Sequence, residues 1–265
     1  MVNSIDSAGV FGVHFAKGTP YRTMKTIKLM AVVSILASSA LAQIPGFYVS
    51  AGGGLAEVKA GDFALTTSYG EKLKSKDAKN RVPVVCLDVG YQFNENWDLG
   101  LRFTKYSKAE INMDFPKFTG LVSIVPFPDY SRHVFYYDTV RLALVPSYTF
   151  AAGDQFRLRA SAGAVCSQTR SHFEADYYIW YSGRPNEQRH DSYPTGKKTD
   201  WSYVASLGAE WVFTKYLSLG LTGTVSPYKI SIPASQVGGY WPTQPSSSSV
   251  KVTTFETVIS LIYRK

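Results

Sequence analysis

The chain has 265 residues, of which 45% are hydrophobic and 14% are aromatic, including 18 Tyr and 15 Phe. This hydrophobic content excludes a wholly disordered chain, and two Cys exclude a disulfide framework or a four-cysteine zinc site. Charged residues make up only 18%, and so few charges with so many Tyr do not suit a nucleic-acid-binding protein, despite the net charge of +8.

Residues 24–42 have the three parts of a secretory signal peptide. Lys25 and Lys28 supply a positively charged start, residues 29–36 are apolar apart from one Ser, and residues 40–42 read Ala-Leu-Ala. The apolar stretch is too short to cross a bilayer, and small residues at this spacing are typical of a cleavage site. We therefore predict cleavage between Ala42 and Gln43. Residues 1–23 are then predicted to be an upstream extension from a mis-assigned start codon, or alternatively a long first region of the signal peptide, and residues 43–265 are predicted to form the mature domain.

Eight windows of the mature chain alternate between apolar and other residues with a period of two, which predicts strands. In one of them, Val140, Leu142 and Leu144 share a face, while Arg141 and Ala143 occupy the other. No segment between the windows shows a long helical period. The predicted strands cover residues 46–58, 82–93, 97–106, 138–150, 156–166, 201–213, 217–226 and 252–263.

Short and long connections alternate between these strands. The short ones contain Asn, Gly and Asp, which favour tight turns, and they cover residues 94–96, 151–155 and 214–216. The long ones cover residues 59–81, 107–137, 167–200 and 227–251. Such alternation places all long connections on one side, as in an outer-membrane barrel with short periplasmic turns. The alternative has ten strands, with residues 119–126 or 173–181 added to the wall.

Aromatic residues flank every short turn of the predicted barrel. Trp97, Phe150, Phe156 and Trp211 lie next to these turns, and Tyr263 closes the last strand. Amphipathic rings collect at the level of lipid headgroups. The apolar strand faces are therefore predicted to contact lipid, and the opposite faces are predicted to line the interior.

The faces assigned to the interior carry charges of both signs. Buried charges are tolerated only when they are paired, and an eight-stranded barrel is just wide enough for side chains to fill it. We predict a filled interior, without a water-filled pore, in which arginines pair with carboxylates. The residues of this predicted network are Asp88, Asp98, Arg102, Arg141, Arg157, Arg159, Glu210 and Glu256.

Three stretches resemble the small outer-membrane barrels of the OmpA transmembrane-domain, OmpX and opacity-type group: residues 46–54, the hairpin at 90–100 and the last strand up to Tyr263. The resemblance covers the mature chain and implies an all-β, eight-stranded, antiparallel up-and-down transmembrane β-barrel. It also implies a monomer in the bacterial outer membrane, placed there by the barrel-insertion machinery. One departure is that Arg264 and Lys265 follow the terminal aromatic residue.

Candidate contact residues lie in the long connections. A lysine cluster suits a solvated loop or, as the alternative, the phosphates of lipopolysaccharide. A group of rings suits either a contact surface for an unidentified extracellular ligand or strand extensions above the membrane. These candidates are Lys72, Lys74, Lys76, Tyr177, Tyr178, Trp180, Tyr181 and Trp241.

Catalytic chemistry has little support in the sequence. A lipid-A-modifying barrel enzyme needs a His, a Ser and an acid near the outer interface, and His190 and Ser192 lie together only in a predicted solvated loop. We predict no catalytic residue, no metal site and no cofactor. The expected role is a non-enzymatic barrel that acts in structure, adhesion or envelope stabilisation. The alternatives are a narrow channel for small or apolar solutes and a lipid-A-modifying enzyme.

Overall fold

The computed structural model describes residues 46–61, 64–66, 72–76, 79–114, 132–181, 184–231, 244–245 and 249–265. The predicted signal peptide, the Ala42–Gln43 cleavage site, the extension at residues 1–23 and Trp241 lie outside the described residues. Within the described residues, no helix has the length and apolar character needed to cross a membrane.

The described residues form twelve strands that belong to one sheet. Every pairing between them is antiparallel, as the hairpin pattern of the sequence requires. The strands are β1 (Phe47–Ala60), β2 (Ala64–Thr66), β3 (Lys72–Lys76), β4 (Lys79–Gln92), β5 (Trp97–Tyr106), β6 (Ala109–Asp114), β7 (Arg132–Ala151), β8 (Phe156–Tyr181), β9 (Arg184–Val212), β10 (Leu217–Ser231), β11 (Gln244–Pro245) and β12 (Ser249–Arg264).

Eight of these strands form a closed wall in the order β1, β4, β5, β7, β8, β9, β10 and β12. The wall closes because β12 pairs back onto β1, from Tyr48 opposite Arg264 to Ala60 opposite Val252. The short strands β2, β3, β6 and β11 lie beyond the wall, and β6 continues the line of β5 along β7. The predicted eight-stranded up-and-down barrel is therefore confirmed.

The hairpin of β8 and β9 is much longer than the sequence indicates. Its ladder continues to the pair Tyr181 and Arg184, so the prediction of a long connection at residues 167–200 is wrong. Residues 173–181 belong to β8 itself and add no ninth strand to the wall, while residues 119–126 lie outside the described residues. The buried residues Ser167, Thr169 and Ser171 of this extension carry hydroxyl groups, so the apolar alternation disappears while the backbone ladder continues.

The outer surface of the wall is apolar. Leu142 and Leu144 on β7 are about half exposed, while their neighbours Arg141, Ala143 and Val145 are buried. This alternation places one face toward lipid and the other toward the interior. The end of the barrel that carries the three short turns, here called the turn end, is ringed by exposed aromatic residues. They are Tyr91, Phe93, Trp97, Phe150, Phe156, Trp211, Phe213 and Tyr216.

Candidate functional site in the barrel interior

The first polar cluster of the interior lies nearest the turn end and is centred on Glu210. Glu210 of β9 is buried, and it pairs with Arg264, the last residue of β12. Arg264 Nη2 donates to Glu210 Oε2 at 2.6 Å, and Ser218 of β10 also donates to this carboxylate. Arg157 lies at the edge of the cluster, with its Nη1 4.0 Å from Glu210 Oε1. The cluster therefore links the last strand to β9 across β10.

The second cluster joins opposite sides of the wall through Tyr48. The Tyr48 hydroxyl donates to Asp98 Oδ1 at 3.0 Å and accepts from Arg159 Nη2 at 2.7 Å. Arg159 also forms an ion pair with Asp98. Because β1 and β8 lie four places apart in the eight-stranded wall, the contact between Tyr48 and Arg159 crosses the full interior.

A neighbouring ion pair joins Asp88 of β4 to Arg102 of β5. These two residues are directly opposite in the ladder, and Arg102 Nε and Nη2 both lie 2.9 Å from Asp88 Oδ2. Arg102 Nη1 also donates to Ser206 Oγ of β9 at 3.1 Å, and Thr224 of β10 donates to the same oxygen. The side chain of Arg102 therefore occupies the interior between non-adjacent strands.

The most buried ion pair joins Arg141 of β7 to Glu256 of β12. Arg141 Nη1 lies 3.1 Å from Glu256 Oε1, and both side chains are at most 5% exposed. Tyr106 donates to the same carboxylate oxygen, and Arg141 also donates to Thr254. The guanidinium stacks 4.4 Å from the ring centre of Tyr228. Since β7 and β12 face each other across the barrel, this pair also crosses the interior.

Apolar side chains fill the interior toward the end that carries the long connections, here called the loop end. This cluster was not expected from the sequence, where charge was used to mark the interior faces. Its residues continue the same alternation: Val82 and Val84 share the register of Asp88, and Val252 shares the register of Glu256. The fully or nearly fully buried members include Ala56, Val58, Val82, Val84, Ile111, Phe135, Tyr137, Ile230, Val250 and Val252.

The structure brings all eight residues of the predicted charge network into four ion pairs, although Arg157 is a distant partner of Glu210. Sequence reasoning missed Arg264, Tyr48 and Tyr106 as members. Arg264 could have been found, because it shares the even-numbered register of Glu256 on the last strand. The polar hydroxyl partners carried no comparable signal, since Tyr and Ser occur on both faces of these strands.

The predicted loop contacts have only their backbone described. Lys72, Lys74 and Lys76 form most of β3, which pairs with β2 and β6, and Tyr177, Tyr178, Trp180 and Tyr181 lie in the outer part of β8. The backbone of these four aromatic residues therefore lies in a strand extension, and their predicted contact role stays a prediction. The side chains of all seven residues lie outside the described part of the structure.

His172, in the outer part of the hairpin, contacts an acid and an aromatic ring. His172 Nε2 lies 3.0 Å from Glu174 Oε1, and the His172 ring stacks on Tyr136 at 4.9 Å. Among the described residues, no hydrogen bond joins His172 to a serine. No group of three or more metal-ligating side chains occurs among them either. The described interior and hairpin thus offer ion pairing and packing chemistry.

Replacing Gly90 with Val is expected to disrupt the second cluster. A Cβ atom at Gly90 would lie 2.5 Å from two ring carbons of Tyr48 and 2.6 Å from the Leu99 carbonyl oxygen, so the ring and the neighbouring strand must shift, which disturbs the contacts of Tyr48 with Asp98 and Arg159. Overpacking of this kind costs about 1–3 kcal/mol of unfolding free energy. Gly53→Val is the control, because a Cβ there has only the Val84 carbonyl oxygen, at 3.6 Å. Urea unfolding in phospholipid vesicles measures the unfolding free energy of each variant. Equal losses of stability in the two variants would contradict the explanation by close contact at Gly90.

One family model and several solved structures match this chain. A family model described as "Outer membrane protein beta-barrel domain" matches residues 29–258. No curated protein matches the sequence. Among solved structures, OprG from Pseudomonas aeruginosa is 13% identical, covering 83% of this chain and 95% of that chain with a TM-score of 0.44. Neisserial surface protein A is 14% identical, covering 83% and 97% with a TM-score of 0.39. Ail of Yersinia pestis is 15% identical, covering 83% and 99% with a TM-score of 0.34.

Proposed function

Because the chain belongs to the outer membrane protein beta-barrel domain family and is thus a bacterial outer-membrane protein, we propose that it acts as a non-enzymatic surface barrel. Its interior is closed by packed side chains, and its extracellular strand extensions make contacts in adhesion or envelope stabilisation. The observation that supports this function is that ion pairs and an apolar cluster of described residues lie across the barrel interior, which favours the surface as the part of the molecule that acts.

Two layers of side chains support a closed interior. Arg141 and Glu256 cross the barrel and are almost completely buried. Beyond them, Val58, Ile230 and Val252 are 0–1% exposed at the loop end. A solute passing through the barrel would have to separate a buried ion pair and then an apolar cluster, and both steps are costly.

The hairpin of β8 and β9 supports a role at the cell surface. The lipid-facing part of this hairpin ends near the pair Cys166 and Trp201, where Trp201 is exposed. From there, residues 167–181 of β8 extend roughly 50 Å along the strand at about 3.3 Å per residue. Even with the usual strand tilt, this hairpin reaches well beyond the lipid headgroups. A long, paired hairpin presents a defined surface for contacts outside the cell.

Shortening this hairpin tests the proposed function. Residues 174–192 are replaced by Asn-Gly, a two-residue turn that closes the hairpin above the paired Phe173 and Tyr193. A strain without the native gene then expresses the wild type, the shortened protein or the turn-end control Asp154→Ala. Attachment to epithelial monolayers and resistance to bile detergent are measured. We expect the shortened protein to lose whichever property the wild type confers, while its barrel still shows heat-modifiable mobility. Full retention of that property would contradict the proposal.

Mass spectrometry of lipid A tests the enzyme alternative. The proposed non-enzymatic role predicts identical lipid A species with and without the protein. A protein-dependent change in acyl chains would contradict a non-enzymatic role.

A further inference from the structure

Four neighbouring strands of the wall carry lysines at the same level near the loop end. Lys59 of β1 is directly opposite Lys79 of β4, and Lys229 of β10 is directly opposite Lys251 of β12. Lys59 is opposite Thr253, two residues from Lys251. The strand order β4, β1, β12, β10 therefore makes one continuous row, here called the lysine row.

The lysine row lies at the edge of the lipid-facing surface. Four residues closer to the turn end on the same face, Leu55 of β1 is 58% exposed and Phe255 of β12 is 46% exposed. Lys59 Nζ lies 5.1 Å from the ring centre of Phe255. A lysine here can lay its apolar stem on the lipid-facing surface while its ammonium group reaches the headgroup level.

Within the described part of the chain, carboxylates balance the charge of the lysine row only in part. Like charges directly opposite each other destabilise a sheet. Glu57 offsets part of the row, with its Oε1 3.2 Å from Lys59 Nζ and its Oε2 4.0 Å from Arg81 Nε. Within the described part of the chain, no carboxylate forms an ion pair with Lys229 or Lys251. Asp200 contacts only the backbone N–H of Lys229. An anion from outside the chain would remove this repulsion.

We propose that the lysine row is a binding site for the phosphate groups of lipopolysaccharide in the outer leaflet. Lys59, Lys229 and Lys251 of the row are exposed beside the lipid-facing surface, at the level where this glycolipid presents its phosphates, and lysines are common point-charge ligands of phosphate. Strands spaced about 4.8 Å apart make the row roughly 15 Å wide, so it can contact more than one phosphate. This binding site is independent of the surface role proposed for the β8–β9 hairpin.

A matched pair of double variants tests the site. Lys229→Gln with Lys251→Gln removes two opposed lysines of the row. Arg170→Gln with Lys197→Gln removes two opposed, exposed cations from β8 and β9, farther along the hairpin. Native mass spectrometry of the full barrel in micelles measures the binding of bisphosphorylated lipid A. We expect the row variant to bind at least about tenfold more weakly, and the hairpin variant to bind as the wild type does.

Three further measurements test whether the lysine row binds lipid A through the phosphates of lipid A. Dephosphorylated lipid A should bind the wild type as weakly as lipid A binds the row variant. Replacing the same two lysines with arginine, Lys229→Arg with Lys251→Arg, should keep the affinity for lipid A at the wild-type level. Millimolar inorganic phosphate should leave lipid A binding unchanged. An equal loss in both double variants would assign the effect to net charge and overturn the proposal. Equal binding of dephosphorylated lipid A, or displacement by inorganic phosphate, would also overturn it.

Discussion

Glu256→Gln is expected to cause the largest loss of stability in the barrel, roughly 3–5 kcal/mol of unfolding free energy. The substitution keeps the shape of the side chain but removes the charge that pairs with Arg141, whose side chain is 3% exposed. An uncompensated guanidinium then remains in the interior, far from water. Urea unfolding in phospholipid vesicles, followed by tryptophan fluorescence, measures the change.

Two comparison variants isolate the buried charge. Glu57→Gln removes an acid that pairs with a half-exposed lysine, and such surface pairs contribute at most about 1 kcal/mol. Replacing both buried partners, with Arg141→Met and Glu256→Leu, should recover most of the loss, because no buried charge is left unpaired. A Glu256→Gln loss no larger than that of Glu57→Gln would show that Arg141 is not isolated from solvent.

Arg264→Gln is expected to be the second most damaging change, at about 2–3 kcal/mol. Arg264 is the main cationic partner of Glu210, which is 2% exposed. The loss should be smaller than for Glu256, because Arg157 and Ser218 still reach the same carboxylate. The affected strand is β12, which closes the wall by pairing with both β1 and β10.

Lys265→Gln is the matched control for the effect of Arg264. It removes the next charge along the chain, and Lys265 is exposed. Its unfolding free energy should change by no more than about 0.5 kcal/mol. If both substitutions have the same effect, the contribution of Arg264 comes from terminal charge and not from its contact with Glu210.

The fold could be predicted from the sequence wherever lipid constrains both faces of a strand. Near the short turns, β5 begins at Trp97 and β8 begins at Phe156, at the predicted positions. In the extension beyond the membrane, the buried residues of β8 include Ser167, Thr169 and Ser171, so no alternation of apolar and polar residues marks this strand. Its pairing with β9 is set by the continuing backbone ladder, which composition does not report.

The charged part of the interior could be predicted from the sequence, but its apolar part could not. A charged residue within an otherwise apolar strand marks the interior face, which is how Arg102 and Glu256 were assigned. Valine is equally suited to lipid and to an interior, so Val82 and Val84 gave no such mark, and the apolar cluster was missed. Only their shared register with Asp88, once the strand bounds are known, places them inside.

Planar bilayer recording of the purified protein tests the filled interior most directly. With Arg141 and Glu256 paired across the barrel and an apolar cluster beyond them, we predict that insertion adds no stable conductance step to the baseline current. A large, long-lived conductance in most insertions would contradict the closed interior and would favour a channel protein.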